Sequence, residues 1–91
     1  MLPIVWRSAA LADLAAIVQY IANRNPAAAR RMKELIEAAV LPLAEHPYLY
    51  KSGRVPGTRE MVAHPNYLIV YRVAADRIEV VAVVHARQQY P

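Results

Sequence analysis

The chain has 91 residues, 57% hydrophobic and 20% charged, with two Gly, seven Pro and no Cys; this composition predicts one globular domain over residues 1–91 and excludes a disordered chain. Without cysteine there is no disulfide scaffold, thiolate nucleophile or cysteine zinc site. Uncharged runs such as Val62–Tyr71, broken by Pro65 and Asn66, fall short of the roughly 17–25 residues that cross a bilayer.

Met1–Trp6 is apolar but lacks a basic leader and a long hydrophobic stretch, so no signal peptide and a cytoplasmic location are expected. Net charge is +4, and residues 51–91 hold six of the eleven basic groups but only three of the seven acidic ones. Nine of the cations are Arg, which suits planar contacts with carboxylate or phosphate.

Ile4-Val5-Trp6 is short and partly β-branched and predicts a strand. Ser8 is a good N-cap residue, after which Leu11, Leu14, Ile17, Val18 and Ile21 share one face of a helix over Ala9–Arg24. Asn25-Pro26 predicts an N-cap with Pro at the first helical position. The second helix carries Met32, Leu35, Ile36, Ala39, Val40 and Leu43 on its apolar face, with Pro42 kinking its last turn. So short a connection makes the two helices an antiparallel hairpin.

His46-Pro47 stops the second helix, and Tyr48–Gly57, with both glycines and Pro56, reads as a loop. Arg59–Ala63, Tyr67–Val73 and Ile78–His85 read as strands, joined by turns at Pro65-Asn66 and Ala74–Arg77. The predicted fold class is α+β: an N-terminal strand, an antiparallel two-helix hairpin, then a three-stranded antiparallel meander forming one sheet, with Ile4–Trp6 next to Ile78–His85.

Strict alternation puts Tyr67, Ile69, Tyr71 and Val73 on one face of the middle strand and Leu68, Val70 and Arg72 on the other. In the last strand it sets Ile78, Val80, Ala82 and Val84 against Glu79, Val81, Val83 and His85. Both faces are largely apolar, while a helical hairpin covers one. Either the Tyr48–Pro56 loop or a partner chain then covers the second.

For acid–base chemistry the candidates are His85, Arg87 and Tyr90, close together at a strand end. Cleavage of RNA by its own 2′-hydroxyl needs a base, an acid and cations for the phosphate. The competing reading makes His85 a partly buried structural residue. His46 and His64 each precede Pro in a turn. No catalytic carboxylate pair, phosphate-cradling Gly loop or metal-ligand spacing stands out, so neither a metal nor a cofactor is expected.

The segments Gly57-Thr58-Arg59-Glu60-Met61-Val62, Asn66-Tyr67-Leu68-Ile69-Val70-Tyr71-Arg72 and Val83-Val84-His85-Ala86-Arg87, with the element order, resemble the RelE/ParE superfamily of bacterial toxins, and most closely its ParE branch. RelE-like members are ribosome-dependent endonucleases, and one of their cations typically stands at the place of Leu68. Nuclease members can also end in Arg-x-x-Tyr with His before the Tyr. Here Arg87 and Tyr90 match, but Gln89 replaces the His, and Gln moves no proton.

The resemblance therefore implies a toxin of a type II toxin–antitoxin pair that inhibits DNA gyrase, stabilising its cleaved-DNA complex by binding rather than catalysis. It implies a ParD-like antitoxin whose extended or helical C-terminal segment wraps the toxin. Membrane contact is not expected, and nucleic acid is met only through the target complex. The alternative is a ribosome-dependent mRNA interferase using His85, Arg87 and Tyr90; a third reading is a family member that only binds. Arg59, Arg72, His85, Arg87 and Tyr90 are the target-binding candidates, with Tyr90-Pro91 a short free tail. Tyr67, Ile69, Tyr71, Val81 and Val83 are the antitoxin-binding ones. Glu60 and Glu79 compete as partners for Arg59 and Arg72.

Overall fold

The structure, a computed structural model, describes all 91 residues, Met1–Pro91. Strand β1 (Ile4–Trp6) leads into helices α1 (Ser8–Ala22) and α2 (Pro26–Ala39). A 3-10 turn (Leu41–Ala44) and a loop follow, then strands β2 (Arg59–His64), β3 (Tyr67–Val73) and β4 (Ile78–His85). The strands form one sheet in the order β1-β4-β3-β2. Strand β1 runs parallel to β4 and the other pairs are antiparallel, so the α+β fold and the place of β1 are as the sequence predicts.

The helix ends show which local signals decide. Asn25 caps α2 through its side chain, which accepts from the Ala28 N–H at 3.1 Å, and Pro26 sits at the first position. Asn25→Ala is expected to cost about 1 kcal/mol of stability, read as earlier thermal unfolding. Helix α1 begins differently from the prediction. Arg7 occupies its N-cap with no side-chain bond, and Ser8 lies inside the helix. The Arg7 N–H donates to the Val80 carbonyl at 3.0 Å, so the sheet holds the chain up to residue 7 and the helix starts at once. At the other end of the hairpin, Pro42 supplies no N–H to continue α2. The helix therefore stops at Ala39 and a 3-10 turn replaces the predicted kink.

One face of the sheet packs under the hairpin. Ala10, Leu14, Ile36, Val40 and Leu43 meet Met61, Tyr67, Ile69, Tyr71, Ile78, Val80 and Val83 in one buried cluster. Leu11 and Leu35, predicted on the apolar stripes, are instead exposed.

The predicted faces of β4 need a correction. Val70 pairs with Ala82, but Tyr71 pairs with Val80, so Val81 is an extra residue, a β-bulge that flips the alternation beyond it. Val83 thereby joins Ile78 and Val80 on the core face, while Ala82 and Val84 turn to the outer face. Tyr67, Ile69, Tyr71 and Val83, expected to meet an antitoxin, are core residues at 9% exposure or less. Ile69 and Tyr71 are spent under the helices, Tyr67 and Val83 belong to the core but also border an open groove, and Val81, at the bulge, keeps partial exposure.

The outer face is closed in part by the chain itself. Val70 and Val84 lie on it and are buried. The loop turns back along β2, where Gly53 N–H donates to the Thr58 carbonyl at 2.8 Å. Arg54 N–H donates to Glu60 Oε2 at 2.9 Å on the outer face, and its guanidinium donates to the Tyr90 carbonyl at 3.3 Å. Loop and C-terminal tail thus meet over the sheet. Val62 remains 65% exposed on the same face.

Candidate functional site at the histidine end of the sheet

The end of β2, the start of β3 and the end of β4 bring His64, Tyr67 and His85 together. Tyr67 and His85 stand edge-on with ring centroids 5.5 Å apart, and His64 lies 5.9 Å from Tyr67. Both imidazoles are held through Nδ1: His64 accepts from the Asn66 N–H and His85 from the Arg87 N–H, each at 3.1 Å. With Nδ1 occupied as an acceptor, the neutral ring carries its proton on Nε2.

The tail turns immediately after β4. Ala86 N–H donates to the Asn66 carbonyl at 2.7 Å, and His85 N–H donates to Gln88 Oε1 at 3.2 Å. Arg87 is exposed at this turn and forms no ion pair within the chain. Tyr90 is half-buried and tied by its carbonyl to Arg54, so the tail expected to be free is docked. A groove of about 640 Å³ opens here, lined by Asp13, Tyr20, Tyr67, His85, Gln88 and Tyr90 among others.

Arg59 and Arg72 lie elsewhere. Arg59, at the start of β2, donates to the Tyr50 carbonyl at 2.6 Å and stacks over the Tyr48 ring at 4.9 Å. Glu60, its expected competitor, bonds Arg54 instead. Beside Arg59, the Tyr71 hydroxyl donates to the Pro47 carbonyl at 3.0 Å. Burial pushes the Tyr71 hydroxyl above its ordinary value, opposed by backbone hydrogen bonding at Tyr50 and by the Arg59 cation.

Arg72 faces outward opposite Glu79 in register, yet Glu79 does not neutralise it as expected. The Glu79 carboxylate is taken by Arg7 at 2.6 Å and by Arg77 at 2.7 Å. Hydrogen bonds from Arg77 and then Arg7 hold the Glu79 carboxyl below the usual carboxylate range. A depressed native value means the stabilisation is present above the unfolded value, near 4.3, and is lost as pH falls through the native one. Glu79→Gln is therefore expected to flatten this part of the acid limb in a thermal-melt series against pH.

The five target-binding candidates thus occupy three places: His85, Arg87 and Tyr90 at one sheet end, Arg59 under the loop, and Arg72 on the outer face. Two residues now prominent were not singled out from sequence. Asp13 accepts from the Val83 N–H at 3.0 Å across 70 positions, and Arg7 reaches Glu79 across 72. Pairings that distant leave no local signal; the only hint was a carboxylate on a helix otherwise rich in alanine. At the histidine end, Arg87 can bind an anionic group and Nε2 of each histidine can exchange a proton. Leu68, on the outer face opposite Val84, adds no charge.

A family model for the ParE toxin of the type II toxin–antitoxin system parDE matches residues 4–90. The chain is 43% identical over 87 residues to Y4kP of Sinorhizobium fredii, covering 94% of this chain and 90% of the relative. It is 41% identical over 88 residues to toxin RelE2 of Caulobacter vibrioides, covering 94% and 97%. In fold it is similar to a chain of the chromosomal ParDE toxin–antitoxin system from P. aeruginosa, with a TM-score of 0.84 at 24% identity over 93% of this chain and 96% of that one. The YoeB/ParE toxin from Agrobacterium tumefaciens gives 0.64 at 20% identity over 98% and 100%. With the family model spanning all but the first three residues and the last, the chain belongs to the ParE toxin family of type II toxin–antitoxin systems.

Proposed function

We propose that this toxin acts in the cytoplasm as a DNA gyrase poison, binding the enzyme and stabilising its cleaved-DNA complex, and that a ParD-like antitoxin holds it inactive. The observation that carries this reading is the charge at the histidine end. Arg87 stands there with neutral Gln88 and Gln89 beside it and with Leu68 on the outer face. Stabilising a phosphorane-like transition state calls for several converging cations, whereas docking on a protein surface needs anchors and complementarity. Incubation with gyrase and supercoiled plasmid is expected to give inhibition or trapped cleavage. No effect at a large toxin excess would sink the reading.

A second reading, a ribosome-dependent mRNA interferase, is favoured by the clustering of His85, Tyr67 and Arg87 and by the relative named RelE2. Its signature is codon-associated cutting in primer extension on translated messages, abolished by changes at Arg87 or Tyr90.

A further inference from the structure

We propose that the open edge of β4, from Val81 to His85, receives an extended segment of a partner polypeptide that carries an Arg or Lys side chain facing Asp13. The proposal rests on the reading that a partner polypeptide holds this toxin, and adds where an extended segment seats and which side chain it must bring.

Strand β1 pairs with Ile78–Val80 only, so on that side β4 has no neighbouring strand beyond Val80. The bulge at Val81 sets the N–H groups of Val83 and His85 toward this open side. Each is closed by a side chain of the same molecule, Val83 by Asp13 Oδ2 at 3.0 Å and His85 by Gln88 Oε1 at 3.2 Å. Unpaired edge groups are a template for strand addition, and side-chain caps hold that template shut reversibly. The backbone carbonyls of an added strand can take over both hydrogen bonds.

The two caps differ in what their displacement leaves behind. Gln88 is exposed and neutral and returns to water. Asp13 is half-buried and makes no ion pair in the chain. Losing the Val83 N–H leaves its carboxylate short of a donor in a partly desolvated groove, which is costly unless the occupant supplies a cation. The groove suits such a side chain, since Tyr67 and Tyr90 line it with Asp13, while the Tyr20 ring at its rim already carries Arg24 at 4.3 Å. Aromatic rings accept a guanidinium or the methylene stem of a lysine. In a chain of net charge +4, Asp13 is a local exception: long-range attraction favours acidic partners, and this position rejects an acidic side chain.

The test uses the full chain and two short synthetic peptides of alternating Thr and Val, one with a central Arg and one with a central Glu. Binding is followed by amide chemical shifts and hydrogen exchange. The Arg peptide is expected to shift and protect the Val83 and His85 amides and to bind about tenfold more tightly than the Glu peptide. Asp13→Asn keeps an oxygen to cap Val83 but removes the charge, and is expected to erase most of that preference with an unchanged circular dichroism spectrum. Should that variant fold poorly, the two-peptide comparison on the unmodified chain decides alone. Equal affinity for both peptides, shifts confined to the helices, or no binding at millimolar peptide would overturn the proposal. Neither gyrase nor ribosomes enter the assay, so its failure leaves the toxin reading standing, and an inactive gyrase assay leaves the edge site standing.

Discussion

Tyr71→Ala is expected to lower stability by about 3–5 kcal/mol, a large share of the roughly 5–15 kcal/mol that holds a domain together. Tyr71 is fully buried in the middle of the sheet, and its ring packs with the residues that seat α2. It also reaches past the core, for its hydroxyl donates to the Pro47 carbonyl at 3.0 Å. That bond anchors the loop whose Tyr50 carbonyl and Tyr48 ring hold Arg59. Truncation therefore opens a cavity and frees the loop together, and a thermal melt should fall by about 20 °C, given roughly 4–8 °C per kcal/mol in a domain this size.

Tyr71→Phe separates the two roles. It keeps the ring and leaves the Pro47 carbonyl unpaired, for an expected cost of about 1 kcal/mol. It also changes the alkaline limb. Burial raises the native hydroxyl above its ordinary value, so the native state keeps the proton where the unfolded chain has lost it. This contribution is present below about pH 10 and disappears as pH rises toward the native value. Melts at increasing pH should show that loss in the unmodified chain and a shallower one in Tyr71→Phe; identical slopes would mean that another group governs the limb.

The same residue shows how far the sequence is legible. Tyr67-Leu68-Ile69-Val70-Tyr71 declares a strand, and the hydrophobic stripes of both helices declare an amphipathic hairpin, so element order and the position of β1 follow from periodicity and the resemblance. Which face of β4 is inward does not follow. Val80-Val81-Ala82-Val83-Val84 offers equivalent apolar side chains at each position, and neither Gly nor Pro marks the bulge at Val81. A single unmarked residue moves Val83 inward and Ala82 and Val84 outward, whereas Tyr67, Ile69 and Tyr71 keep their alternation and lie inward because the hairpin covers that face of β3. The site is legible only where its members are neighbours in sequence. His85 and Arg87 are joined by an imidazole-to-backbone bond two residues long, whereas Asp13 and Arg7 come to β4 from the other end of the chain.

Arg87→Ala is expected to reduce gyrase inhibition and growth arrest about tenfold or more while leaving the melt within about 0.5 kcal/mol of the unmodified chain. Of the five arginines in residues 51–91, Arg54 holds Glu60 and the Tyr90 carbonyl, Arg59 holds Tyr50, Arg77 holds Asp76 and Glu79, and Arg72 faces Glu79 across the ladder. Arg72 and Arg87 alone among them make no ion pair or guanidinium hydrogen bond, and of the two only Arg87 stands at the histidine end, so its charge is available to a target there. Arg59→Ala is the contrast: it loses a 2.6 Å hydrogen bond and a stacked ring and should cost about 1–2 kcal/mol of stability, any fall in toxicity following the melt. His85→Gln then distinguishes the two mechanisms. For a gyrase poison, His85 acts through Nδ1 by orienting the Arg87 backbone, and its loss should weaken inhibition only severalfold. A nuclease that moves a proton at Nε2 should lose about a hundredfold or more. A His85→Gln toxin that still arrests growth and traps cleaved plasmid, beside an Arg87→Ala toxin that does neither, is the pattern expected of a protein that works by binding.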